Sequence, residues 1–262
     1  MKRFDAHCHL QDKRLTQRLS QVIQNWSRSG GGFLVSCGTQ ESDWEDLMAI
    51  AGKTDTVLPC FGIHPWYVGT LSPTWQENLG RYLGRIPSGV GEIGLDFTRT
   101  APDRQLQEAI FVSQLAMAQA LRLPVSIHIR KAWDSFIRIL KHMGPLAGGG
   151  LIHSFSGSCD MVPLFERYNL HISFSGAVTN PHNKKVGKAV KAVSPGRLLI
   201  ETDSPDLLPR LPVPCKDKIN TPANLLVIAD AVASRLKKPT STLVQQTFDN
   251  GTRLFNRLTT PV

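Results

Sequence analysis

Cysteine is scarce and unpatterned in this chain of 262 residues: five copies, at positions 8, 37, 60, 159 and 215, with no CxxC pair among them. That excludes a disulfide framework and a zinc ribbon, and it is the usage expected in a reducing compartment. No apolar run approaches the roughly 18 residues that a membrane-spanning helix needs. There is no low-complexity tract, no linker and no internal repeat to divide the chain. A leader peptide is not expected either, because a strand pattern begins almost at Met1. Acidic residues are in the minority, 21 against 30 Lys and Arg, which leaves a net charge of +9. That balance suits anionic partners such as nucleic acid or phosphorylated substrates. Hydrophobic residues at 41% and charged residues at 19% describe an ordinary globular chain with ample core. The expectation is a soluble, cytoplasmic protein with no membrane association and no obligate protein partner.

Short β-branched runs alternate with longer amphipathic ones. Strands are expected at 4–9, 33–37, 57–62, 89–93, 125–129, 151–155, 170–174 and 198–202. Between them, Leu15, Leu19, Val22, Ile23 and Trp26 follow helical spacing, as do Phe111, Leu115 and Ala118, and then Phe136, Ile137, Leu140 and Met143. The first and eighth strand starts are seven units apart, about 28 residues each, close to the size of a βα repeat. Buried parallel strands read as continuous apolar runs, and Leu198-Leu199-Ile200 does. Eight such units predict an α/β fold, a single (β/α)₈ TIM barrel over residues 1–262. A doubly wound open sheet would want a Gly-rich phosphate turn after its first strand, where His7-Cys8-His9 stands instead. The stretch 205–214 reads as an ordered loop above the barrel. Two C-terminal helices, 222–237 and 241–258, follow, the second liable to fray or kink at Asn250-Gly251.

Chemistry in such a barrel gathers at the C-terminal ends of the strands. Strand one ends in His7-x-His9, strand four in Glu92 and strand five in His128. Strand six carries His153, and strand eight runs into Glu201-Thr202-Asp203. Period-two geometry points His7 and His9 to the same side. A lone His on an apolar strand is ordinarily a hydrogen-bonded core residue. Four of the eight His and two acids at one barrel mouth are different. Burying six such groups would cost several kcal/mol each unless they are paired or bind metal. Mixed imidazole and carboxylate suits Zn, Mn, Fe, Co or Ni, and Mg less readily. Six donors are too many for one catalytic ion and suit two ions about 3.5–4 Å apart, bridged by a carboxylate. Glu92 is the natural bridge, with His7, His9 and Asp203 completing one ion and His128 and His153 the other.

Five motifs now stand together: D-x-H-C-H-L at 5–10, G-E-I-G-L-D at 91–96, I-H-x-R at 127–130, H-S-F-S-G at 153–157 and E-T-D-S-P at 201–205. In this order and spacing they resemble the TatD family of metal-dependent deoxyribonucleases, which belongs to the amidohydrolase-like barrels. The resemblance spans nearly the whole chain. It implies a TIM barrel holding two divalent ions (Mg, Mn or Zn) and hydrolysing phosphoester bonds in DNA. By motif position it makes His7, His9, Glu92, His128, His153 and Asp203 the ligands. The chain departs from the family's pattern at Ala6, at Gln11, at Asp206 where many members place Tyr, and at Ile219 where the family has Arg.

Around this set, His64 in Gly62-Ile63-His64-Pro65 matches the family's G-x-H-P and is expected on the substrate side. Arg130 and Lys131, directly after His128, form a candidate phosphate clamp. Asp96 orients its loop, and Ser154 and Ser156, with no spare base beside them, make loop hydrogen bonds. Trp66 and Tyr67 either stack a base or pack their loop. Lys184, Lys188 and Lys191 share a solvated helical face. The expected reaction is hydrolysis of phosphodiester bonds in single-stranded or frayed DNA by a metal-activated water, with Glu92 and Asp203 as the catalytic acids. Asp203 would take the water's proton. The rival keeps the site and changes the bond, to an ester or amide such as a D-aminoacyl-tRNA ester. Glu92, standing where many amidase relatives carry a carbamylated Lys, argues for phosphoesters.

Overall fold

The computed structural model describes residues 1–98, 103–211 and 218–259. Eight parallel strands pair in sequence order: β1 (Arg3–Cys8), β2 (Gly31–Cys37), β3 (Val57–Phe61), β4 (Gly89–Asp96), β5 (Val125–Arg130), β6 (Gly150–Ile152), β7 (Leu170–Phe174) and β8 (Leu198–Ile200). Helices connect each strand to the next on the outside, which makes the molecule a (β/α)₈ barrel. Strands six and eight are shorter than their apolar runs suggested. Each stops one residue before a side chain of the mouth, His153 and Glu201. Strand four is longer, and Glu92 lies within it rather than at its end.

Two cores follow from the period-two alternation of the strands. The larger packs the outward strand faces against the helices, with Ile93, Ile127 and Ile172 meeting residues such as Phe111 and Phe136. The smaller fills the barrel: Phe4, Ala6, Val35, Cys37, Leu58, Cys60, Leu151 and Leu199. Its floor comes from the end of the chain. The helices Leu225–Leu236 and Thr240–Leu254 follow β8, and a short turn Asn256–Thr259 comes after them. Leu254 and Phe255 enter the barrel's inner cluster, and the Phe255 ring stacks on Phe4 at 5.9 Å. The helix runs unbroken through Asn250-Gly251, contrary to expectation, and ends at Phe255. Gly251 is there for contact, since a Cβ would come within 2.4 Å of the Phe4 ring. The expected loop 205–214 is described only as far as Leu211, and the rest of it lies outside the described residues.

Strict alternation cannot put both Phe4 and His7 inside the barrel, yet both are there. The pairing of β1 with β2 shifts between Asp5 and Cys8, where three steps on β1 oppose two on β2. This bulge resets the parity, so Phe4 and Ala6 face inward below it and His7 and His9 above it. Strand four repeats the device: its register with β5 shifts between Val90 and Ile93, and Glu92 sits in the irregularity. The seam between β8 and β1 is closed just past β8. Asp203 N–H donates to the His7 carbonyl at 2.9 Å, and His9 N–H donates to the Ser204 carbonyl at 2.7 Å. Asp5, fully buried, clasps the same seam by accepting from Thr202 N–H (2.9 Å) and the Thr202 hydroxyl (2.5 Å).

Among the described residues no helix is long and apolar enough to cross a membrane. The seam generates a prediction. Asp5→Ala strands buried donors on Thr202, and each unsatisfied donor costs about 1–3 kcal/mol. Urea titration should therefore show a loss of about 2–4 kcal/mol; a change within about 0.5 kcal/mol, the range of neutral surface substitutions, would mean that the backbone pairs close the barrel alone.

Candidate metal centre

All six proposed ligands meet at the C-terminal mouth of the barrel, around the Glu92 carboxylate. Its Oε2 faces one group of donors: His7 Nε2 at 3.5 Å and His9 Nε2 at 3.4 Å. Asp203 Oδ1 completes that group, 3.6 Å from His7 Nε2 and 3.4 Å from His9 Nε2, and the two imidazole nitrogens are 3.2 Å apart. Around an ion with ligand distances of about 2.1 Å, tetrahedral donors stand about 3.4 Å apart. The spacing of these four atoms fits that frame. Glu92 Oε1 faces a second group, with His128 Nδ1 at 3.0 Å, His153 Nε2 at 2.9 Å and 3.0 Å between those two nitrogens. His64, expected on the substrate side, is drawn in as well, its Nε2 3.6 Å from Glu92 Oε1.

What each imidazole does with its other nitrogen separates these residues. His9 Nδ1 lies 2.8 Å from the Cys37 carbonyl and His7 Nδ1 lies 2.7 Å from Ser126 Oγ. His153 Nδ1 faces Glu201 at 3.3 Å and His128 Nε2 faces Asp96 at 3.4 Å. Each of the four therefore has an acceptor behind it, the arrangement that fixes a ligating imidazole's tautomer and raises its basicity. His64 has a donor there instead: the Trp66 N–H donates a hydrogen bond to His64 Nδ1 at 3.1 Å. A neutral His64 must then carry its own hydrogen on Nε2, toward the cluster.

The electrostatics centre on Glu92. Burial alone would raise its pKa, but His153, His64 and His7 hold it well below the usual carboxylate range. Asp203 is likewise lowered, its burial outweighed by His9 and His153. In return the carboxylates lift their partners. Burial opposes charge on His9, yet Asp203 and Glu92 push its pKa up to about 9, and Glu92 with Glu201 raises His153 strongly. His64 goes the other way: burial takes it down to about 3, with His128 and His153 adding to the effect against the pull of Glu92. A divalent ion would compete with the protons on His9, His128 and His153, since imidazole ligates only when neutral.

Asp96 does more than orient its loop. Besides facing His128 it accepts from the Thr98 N–H (2.9 Å), the Thr98 hydroxyl and the Trp66 indole N–H (2.8 Å). Ser154 makes the loop bonds expected of it, with its N–H to Glu201 and its hydroxyl to Ser175. Arg130 and Lys131 stand exposed at the rim, with Lys131 in the left-handed region at φ 53°. Asp206, where Tyr is frequent, is joined by Arg14 through two hydrogen bonds of 2.8 and 2.7 Å, so a clasp to the loop after β1 occupies that corner. Four contributors were missed from the sequence: Ser126, the Cys37 carbonyl, Glu201 and Asp5. Of these, Glu201 and Asp5 lie inside motifs already singled out and could have been weighed.

A model of the family "TatD related DNase" matches residues 4–256. The chain belongs to that family. It is 30% identical to the uncharacterized metal-dependent hydrolase YabD of Bacillus subtilis, over 96% of this chain and 98% of that one. It is 32% identical to the 3'-5' ssDNA/RNA exonuclease TatD of Klebsiella pneumoniae, over 96% and 97%. Among solved structures, the TatD homologue YjjV of Escherichia coli K12 superposes with a TM-score of 0.90 at 26% identity, covering 97% of each chain. The TatD-type barrel is thus a hydrolase fold with its polar cluster at the expected mouth.

The acceptors behind the imidazoles can be tested apart from the donors themselves. Glu201→Gln and Asp96→Asn should each weaken divalent-ion affinity about 10–100-fold, read by equilibrium dialysis, with the far-UV spectrum unchanged. Affinity unaltered in both variants would show that neither acid supports a ligating imidazole.

Proposed function

We propose that this TatD-family hydrolase is a divalent-metal-dependent nuclease that trims single-stranded or frayed DNA from an end. His7, His9, Glu92, His128, His153 and Asp203 would hold two ions. The observation that carries the reading is the division of donors across Glu92, His7 and His9 at one oxygen, with Asp203 beside these two imidazoles, and His128 and His153 at the other. A carboxylate bridging two ions about 4 Å apart divides its neighbours in this way. The imidazole-rich set favours Zn or Mn over Mg. When bound, the ions supply Lewis-acid chemistry: they lower the pKa of water and offset charge on the phosphoryl oxygens.

The chain's own residues do the rest. Asp203, ionised and only 8% exposed, accepts a hydrogen bond from the attacking water and takes its proton. His64 presents Nε2–H as a fixed, neutral donor suited to a phosphate oxygen. Arg130 and Lys131 bind a flanking phosphate, Arg130 as a fork and Lys131 as a point charge. Trp66, 40% exposed and held by Asp96, offers a ring face to a base. The net charge of +9 and the exonuclease name of the Klebsiella pneumoniae relative support a nucleic-acid strand.

End-labelled single-stranded DNA should be shortened to mononucleotides by the metal-loaded enzyme and left intact in EDTA. Glu92→Gln should lose at least one ion and nearly all activity. Asp203→Asn should keep more metal while its rate falls about 10²–10⁴-fold. Rapid deacylation of D-aminoacyl-tRNA by the same preparation, with the DNA untouched, would replace phosphodiester by carboxyl ester as the bond cleaved.

His64 has a test of its own. His64→Ala should lower kcat about 10²-fold, the worth of one positioned donor, with the ion content unchanged by mass spectrometry under native conditions. Departure of an ion with the side chain would make His64 a ligand instead.

A further inference from the structure

At the other end of the barrel, where β5 to β8 begin, lies a cleft of about 670 Å³. Four arginines line it: Arg122 after the helix Arg104–Leu121, Arg197 just before β8, Arg253 near the end of the helix Thr240–Leu254, and Arg257 beyond it. Three of them make hydrogen bonds that use little of the guanidinium. Arg197 donates to Asn169 Oδ1 at 2.7 Å, Arg253 to Asn250 Oδ1 at 3.3 Å and Arg257 to the Leu121 carbonyl at 3.4 Å. These acceptors are neutral. Among the described residues none of the four arginines has a carboxylate within ion-pair distance. Among the described residues the one acid lining the cleft, Glu166, is engaged by the N–H and hydroxyl of Ser194.

A second observation comes from inside the barrel. His171, on β7, is 4% exposed and lines the same cleft, and its ring has no side-chain hydrogen-bond partner, only the backbone at Gly150 and Gly196 beside it. A buried imidazole held only by backbone neighbours can gain a further hydrogen bond from a bound polar molecule. Burial, reinforced by Arg197, brings its pKa down to about 4, so at neutral pH the ring offers one donor and one acceptor and no charge.

We propose that this cleft is a second binding site, separate from the metal centre, for a small phosphorylated molecule of nucleotide size. Guanidinium forks match phosphate oxygens in geometry as well as charge. The volume falls in the range of small-molecule pockets, about 300–1,000 Å³. The neutral His171 ring at the inner wall pairs with a hydroxyl or base edge rather than a second phosphate. The arginines then meet the phosphate at the mouth.

Isothermal titration of the metal-loaded full chain with dAMP, inorganic phosphate and deoxyadenosine tests this. Binding of dAMP should persist in Glu92→Gln and weaken at least tenfold in Arg197→Ala/Arg253→Ala. Phosphate alone should bind more weakly with the same arginine dependence, and deoxyadenosine not at all. The exposed pair Arg122→Ala/Arg257→Ala should weaken dAMP binding too, and decides the matter if the first pair does not fold. Binding that vanishes in Glu92→Gln and survives both arginine pairs would assign the ligand to the metal centre and overturn the proposal. So would no dAMP heat at all, or a heat that sodium chloride of equal ionic strength abolishes. An oligonucleotide bound a hundredfold tighter than dAMP by the same arginines would overturn it in favour of a nucleic-acid track.

Discussion

A carboxylate that stays ionised inside a protein must be surrounded by positive charge or strong donors, and Glu92 imposes that demand on the whole mouth of the barrel. Five imidazoles lie within 3.6 Å of its two oxygens. They come from β1 and just past it, from the segment after β3, from β5 and from just past β6, so much of the barrel is committed to surrounding one carboxylate with nitrogen donors. The two register shifts serve the same demand. Without them β1 would turn His7 toward the helices and β4 would do the same to Glu92. The bulges exchange regular pairing for the inward aim of two polar side chains, at the level where the small inner core gives way to the cluster.

The barrel itself was legible in the sequence because its strands are buried on both faces and read as apolar runs at a regular interval. The cluster was legible because polar residues at the ends of such runs have no other cheap explanation. What could not be read was parity. Period two puts His7 and His9 on one side, which holds, but it also puts Phe4 and His7 on opposite sides, which does not. Pairing with a neighbour decides where a bulge falls, and a single strand carries no mark of it. The supporting acceptors were hidden for a related reason: Ser126 and the Cys37 carbonyl are ordinary strand groups until another strand presents an imidazole to them. His64 was placed on the right rim by its motif, but the role of its ring depended on one backbone N–H, that of Trp66.

The rim shows how a departure from the family's pattern can be absorbed. Asp206 brings a negative charge to a mouth that handles phosphate, yet Arg14 holds it with two N–H groups and Asp12 with others. The charge is neutralised locally, and the clasp joins the loop after β1 to the loop after β8. This is the same seam that Asp5 and Thr202 close from below. A position that elsewhere presents an aromatic ring has become part of the barrel's fastening.

The floor of the barrel has a consequence in time. Phe4 and Phe255 come from strand one and from just past the helix Thr240–Leu254, far apart along the chain, and the two rings meet beneath the inner core. Until the ribosome has made Phe255 and released enough chain for it to reach the barrel, Phe4, Phe33 and Leu199 have water or a chaperone beneath them. The inner core thus cannot close before Leu254 and Phe255 are in place, however early the strands around it pair, and a chain stopped short of them would leave the barrel open at the bottom.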